Sequence, residues 1–211
     1  MKKIVSLLIL IAVLIPSLFS CGDIKYDENE VKTAAKKLIE ESILLNDIYF
    51  GEGIPYIDDK NSSDGVFYMA LDSYLYLIGF STVAELMDLT SKTFSKSYCN
   101  QIYSTVLDTI QDEDKAIILP RYYQKYSIGD GTTPECIMVN STYRQLLFGD
   151  VEYDYDSITV IGAEDDTVYI TVNATVKLDA YDPQTREIRI ALVDEGKGWR
   201  IDSPTYLTYV K

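Results

Sequence analysis

Apolar residues recur at helical spacing from Glu30 onward. Val31, Ala34, Ala35, Leu38, Ser42 and Leu45 share one side, with Lys32, Lys36, Lys37 and Glu40 opposite, which predicts an amphipathic helix. Gly51, Gly53 and Pro55 predict its end, and Asp58 to Gly65 reads as a polar loop. After an apolar and aromatic stretch from Val66 to Phe80, Thr82-Val83-Ala84-Glu85 has the form of a capping box. It predicts a second helix burying Val83, Leu86, Met87, Thr90 and Phe94. A third is predicted from about Tyr98 to Ile110, with Cys99, Ile102, Tyr103, Val106 and Ile110 inward.

Past Pro120 the period becomes two. Val168, Ile170, Val172, Ala174, Val176 and Leu178 alternate with Thr167, Tyr169, Thr171, Asn173, Thr175 and Lys177, which predicts one long antiparallel strand. Asp182-Pro183-Gln184 reads as the turn into a partner strand with Ile188, Ile190 and Leu192 inward. Gly196-Lys197-Gly198 turns into Trp199-Arg200-Ile201-Asp202, and Ser157 to Gly162 returns through Glu164-Asp165-Asp166. Helices first and a meander last is the order of an α+β domain, with N-terminal helices packed on a curled C-terminal antiparallel sheet. The concave face of such a sheet is where a ligand is expected.

Ahead of these elements, Lys2 and Lys3 precede an almost unbroken apolar run from Ile4 to Ile15, then Pro16 and small residues. This is the pattern of a secretory signal rather than a piece of the fold. As an uncleaved anchor the apolar stretch from Ile4 to Ser20, 17 residues, is at the short edge for about 30 Å of hydrocarbon, and Pro16 interrupts it. A plain cleaved signal would leave Cys21 as a free thiol. The end of the run, with Leu18, Ser20 and Cys21, resembles the lipobox of bacterial lipoproteins. That resemblance implies a signal peptide over 1–20, lipidation of Cys21 and a short lipidated tether over 21–29; the patterned remainder, 30–211, reads as a single α+β domain. The resemblance also implies anchorage in the cell membrane on its extracytoplasmic face, since two or three acyl chains hold firmly where one does not.

Charge narrows the partners. The chain carries 19 Lys+Arg against 33 Asp+Glu, a net of −14, and two of those lysines lie in the leader. Such acidity disfavours nucleic acid and anionic surfaces, and suits a basic envelope protein or simple solubility. There is no histidine, which removes Ser-His-Asp and Cys-His catalysis and imidazole-based zinc sites. With Cys21 acylated, Cys99 and Cys136 are compatible with one disulfide or with buried free thiols. Tyrosine is abundant, 18 residues against 6 Phe and 1 Trp, with clusters at Tyr122-Tyr123-Gln124-Lys125-Tyr126 and Tyr153-Asp154-Tyr155. These fit half-buried sheet positions or a recognition surface.

Candidate chemistry is sparse. Asp59 to Gly65 has some features of a calcium loop, but its glycine falls one place late and Ala70 stands where a closing Glu belongs. Glu152, Asp154 and Asp156 would stack on one face of a strand, either to meet a cation or basic partner or as a solvated, aggregation-guarding edge. No catalytic residue, metal ligand or cofactor is assigned.

The closing stretch Gly198-Trp199-Arg200-Ile201-Asp202-Ser203-Pro204, after N-terminal helices, resembles the last strand of nuclear transport factor 2-like (cystatin-like cone) domains. The run Val83 to Tyr103, especially Leu89 to Lys96, and the hairpins ending in Gly198-Trp199-Arg200 resemble secreted inhibitors of bacterial DL-endopeptidases, the autolysins that cut cell-wall peptides. An acidic, tyrosine-rich domain without histidine suits a non-enzymatic binding module for a small ligand, peptide or envelope component. The resemblance to the endopeptidase inhibitors implies instead an inhibitor of a wall hydrolase. A third expectation is a histidine-free cone-fold enzyme, which needs a Tyr hydroxyl beside a desolvated carboxyl.

Overall fold

The computed structural model describes residues 26–58, 65–111, 117–126, 135–143, 150–178 and 181–206. The leader, Cys21, the first part of the tether and loop residues 59–64 lie outside these. Helix α1 (Glu28–Phe50) starts two residues before the apolar stripe predicts. Asp27 is the reason: its Oδ1 accepts from the backbone N–H of Asn29 and Glu30, satisfying donors that a helix start leaves orphaned. Strand β1 (Phe67–Met69) and the short helix α2 (Asp72–Ile78) occupy the stretch before the capping box. Helix α3 (Val83–Thr93) opens with that box complete, the Thr82 hydroxyl capping the Glu85 N–H and the Glu85 carboxylate reaching back.

Helix α4 (Lys96–Val106) ends a turn earlier than its stripe predicts. The Val106 carbonyl, which Ile110 would need to continue the helix, accepts instead from the Arg121 N–H at 2.7 Å. Ile110 falls in strand β2 (Ile110–Gln111), paired with β3 (Ile117–Ile118). Strands β4 (Tyr122–Lys125) and β5 (Cys136–Asn140) join β1 in a three-stranded antiparallel sheet ordered β1-β5-β4.

The last four strands form a second antiparallel sheet ordered β6-β7-β8-β9: β6 (Asp150–Glu164), β7 (Thr167–Leu178), β8 (Tyr181–Asp194) and β9 (Trp199–Ile201). The twelve-residue alternation is β7 itself, with Val168, Ile170, Val172, Ala174 and Val176 buried. The segment Asp182-Pro183-Gln184, predicted as a turn, lies within β8. Val176 pairs with Gln184 and Leu178 with Tyr181, so Asp182 and Pro183 both face Lys177 in a bulge. A bulge tolerates a proline, which has no N–H to give to the ladder.

The fold is thus α+β, with helices packed against antiparallel sheets. Helix α1 lies on β6, β9 and α3, and α3 touches both β4 and β9, tying the two sheets together. One buried cluster runs from Val31 and Ile39 of α1 through Leu86, Phe94 and Ile102 to Ile137, Ile170, Ile190 and Ile201. The sheet face expected to hold a ligand is part of that cluster. It is filled by helix side chains.

Candidate functional site

A cleft lies elsewhere, between α2, the start of α3 and the start of β5. It encloses about 440 Å³ and is lined by Asp72, Leu75, Tyr76, Gly79, Phe80, Ser81, Glu85, Glu135 and Cys136. That volume falls within the range of small-molecule and side-chain pockets. Gly79 makes the corner: its φ of 85° places the chain in the left-handed region after α2, and its N–H closes the helix onto the Leu75 carbonyl. The chain then turns through Phe80 and Ser81 into the capping box.

The floor of the cleft is apolar and its rim is acidic. Leu75, Phe80 and Cys136 are buried at its base, while Asp72, Glu85 and Glu135 stand exposed around it. The Glu85 carboxyl is held below its usual range, first by the Ser81 N–H and hydroxyl and then by Thr82, so it stays ionised. Glu135 accepts from the Gln124 amide at 3.5 Å, and the same Gln124 accepts the Val83 N–H, bracing β4 against α3. The Cys136 thiol is pushed up, chiefly by burial, with Lys125 opposing and Asp72 adding to the rise. It is a protonated, inert wall, as thiolate is the reactive form.

The same helix presents Tyr76, itself part of the cleft lining, and Leu77 to solvent, 90% and 79% exposed. Five apolar or aromatic residues in a row, Tyr74 to Ile78, cannot all face one core from a helix of two turns. That mismatch is the signal in the sequence for an exposed patch.

No family model, curated protein or solved structure matches the chain.

The residues singled out from the sequence are not brought together. Cys21 and the calcium-like loop lie outside the described residues, apart from Gly65. Cys99 and Cys136 are both buried and both free. Glu152, Asp154 and Asp156 are exposed on β6, the edge strand of its sheet, with Glu152 ion-paired to Lys177. The tyrosine clusters diverge: Tyr122 is fully buried, Tyr126 is exposed, and Tyr153 stacks with Tyr155 against the core. Among the described residues no group of three acidic or sulfur side chains is placed to hold a metal. No described helix is long and apolar enough to cross a membrane.

The buried tyrosine hydroxyls have structural partners. Tyr49 shares a hydrogen bond with Thr90 at 2.7 Å, Tyr103 donates to the Met87 carbonyl, Tyr122 to Ile48 and Tyr153 to Thr205. Burial raises the phenol pKa of all four, and pushes Tyr122 up to about 12 despite the Arg121 guanidinium beside it. The unfolded phenol titrates near 10, so the folded state holds these protons more tightly. Their contribution to stability is complete below about pH 10 and falls as pH rises from there toward 12 and beyond. A melting temperature that drops steeply across that interval, with tyrosinate absorbance appearing together with unfolding, is the expected result. Free titration of all the tyrosines near pH 10 in the folded protein would contradict it.

Proposed function

We propose that this chain is a membrane-anchored, extracytoplasmic lipoprotein, held by acyl chains on Cys21, that works as a non-enzymatic binding module. The observation that carries the binding half of this reading is the open cleft with an apolar floor, a carboxylate rim and an exposed aromatic beside it. Such a combination is how protein surfaces mark contact sites. The tyrosine hydroxyls also support binding over turnover. An isomerase-type site needs a phenol aimed at substrate beside a desolvated carboxyl, whereas the hydroxyls of Tyr49, Tyr103, Tyr122 and Tyr153 are committed to main-chain carbonyls and Thr90. The exposed Tyr76 and Leu77, with the net charge of −14, favour one particular partner class: a basic envelope protein, of which a wall hydrolase under inhibition is one case.

The test uses the full chain. In the native host, labelled palmitate enters the wild type and not Cys21→Ser. Full-length protein immobilised in nonionic detergent captures an envelope protein at low salt and loses it at high salt, as charge-steered contacts do. Unchanged labelling of Cys21→Ser ends the anchor reading. Capture of nothing from the envelope at either salt ends the binding reading.

A further inference from the structure

We propose that the cleft takes a basic, partly apolar segment of a partner protein, its cation meeting Asp72 and Glu135 and its apolar neighbour resting on Leu75 and Phe80. This deepens the binding reading above and rests on it. The charge complementarity is local. Three carboxylates and no cation line the cleft, and the positive group acting on Cys136 is Lys125, its partner across the β4–β5 pair. Glu85 is already occupied by three donors of Ser81 and Thr82, whereas Glu135 takes one long contact from Gln124 at 3.5 Å, so the spare anionic capacity of the rim sits with Asp72 and Glu135. A cation that also carries aliphatic length satisfies both the rim and the floor. Lysine and arginine side chains have that form, with a charged head on an apolar stem.

The surroundings distinguish a polypeptide from a free small cation. Tyr76 lines the cleft and is almost fully exposed, and Leu77, next to it on the same helix, is exposed as well. A small amine filling the cleft would leave both in water. A segment with an apolar residue on each side of its cation covers them, and exposed tyrosine is a residue that dominates such contacts. An anionic lipid surface is the poorer occupant, because Asp72, Glu85 and Glu135 would be pressed against like charge.

The experiment is fluorescence anisotropy of a labelled, end-blocked hexapeptide of alternating lysine and leucine, titrated with full-length protein in nonionic detergent. A glutamate–leucine peptide and a lysine–serine peptide serve as comparisons. The lysine–leucine peptide binds and the other two bind at least about tenfold more weakly. The Asp72→Asn/Glu135→Gln protein, whose substitutions are both exposed, loses about tenfold in affinity, the equivalent of removing one good charged contact. Tyr76→Ala/Leu77→Ala weakens binding independently of charge. Asp154→Asn/Asp156→Asn removes the same charge from the far edge strand and changes affinity by less than about twofold. Equal losses from the cleft and edge substitutions would mean that net acidity alone attracts the peptide, which overturns the assignment. Equal binding of the glutamate peptide overturns it too. Undiminished capture of an envelope partner by the Asp72→Asn/Glu135→Gln protein overturns the cleft assignment while the binding reading stands, and so separates the two.

Discussion

Arg121→Met destabilises the fold by about 3–5 kcal/mol, enough to remove a large part of a typical domain's stability. Arg121 is 5% exposed, and its guanidinium has no carboxylate partner among the described residues. It is held by backbone. Nη1 donates to the Tyr49 carbonyl at 2.9 Å and Nη2 to the Gly51 carbonyl at 2.7 Å, while the neighbouring Tyr122 hydroxyl donates to Ile48 at 2.6 Å. The Ile48 and Tyr49 carbonyls lie in the last turn of α1 and Gly51 is its C-cap, so no intrahelical N–H can satisfy these acceptors. α1 has no basic residue in its own last turn, so the cation that complements its negative end comes from the start of β4. Methionine fills most of the volume and leaves the carbonyls buried without donors, at about 1–3 kcal/mol each, with the dipole contribution lost as well.

The measurement is a urea transition followed by circular dichroism, with the midpoint falling at unchanged slope. A loss below about 1 kcal/mol would show that the guanidinium is incidental. Arg121→Lys recovers only part of the stability, since one ammonium cannot reproduce the planar two-point fork. Gly53 supplies a coupling test. Its φ is 84°, and a Cβ there would sit 2.1 Å from Arg121 Nη2 and 2.6 Å from the Tyr122 hydroxyl. Gly53→Ala therefore costs less in the Arg121→Met background than in the wild type, where the arginine must also move.

Arg121 also shows where sequence reasoning stops. Its number places it just after Pro120 in a polar, aromatic stretch, and nothing in its neighbours ties it to a helix end some seventy positions earlier. Elements whose burial is repetitive were legible. The alternation from Thr167 to Leu178 is one strand because every second residue meets the same core, and Thr82 to Glu85 is a cap because the box is closed locally. Elements decided by a single tertiary hydrogen bond were not. The end of α4 depends on Arg121 taking the Val106 carbonyl, and Pro183 enters a strand because a bulge spares it a ladder bond. The cleft is harder still, as it joins residues 72–85 to 135–136 through a β5 pairing that periodicity does not encode. Its one local sign was the surplus of apolar residues on α2.

Thr205→Val lowers stability by about 2–3 kcal/mol, although it only replaces a hydroxyl with a methyl beyond the last strand. Thr205 is fully buried against α1, between Ser42 and Asn46. The donors can be assigned by counting. The Ser42 hydroxyl has one hydrogen and gives it to the Ile39 carbonyl at 2.8 Å, so the 2.8 Å contact between the two hydroxyls is donated by Thr205. The Asn46 amide then donates to Thr205 Oγ1, also at 2.8 Å. Valine keeps the shape and breaks both links, leaving a buried amide donor and a buried hydroxyl oxygen unanswered. The Thr205 carbonyl accepts from Tyr153, and Tyr206 packs on Phe50, so this residue pins the chain after β9 to both α1 and β6. The asymmetry of buried polar pairs gives the check. Ser42→Ala and Asn46→Leu, added to Thr205→Val, remove the orphaned groups and return most of the lost stability, so the triple variant unfolds at a higher urea concentration than the single one. A triple variant less stable than Thr205→Val alone would show that the site is governed by packing and not by its hydrogen bonds.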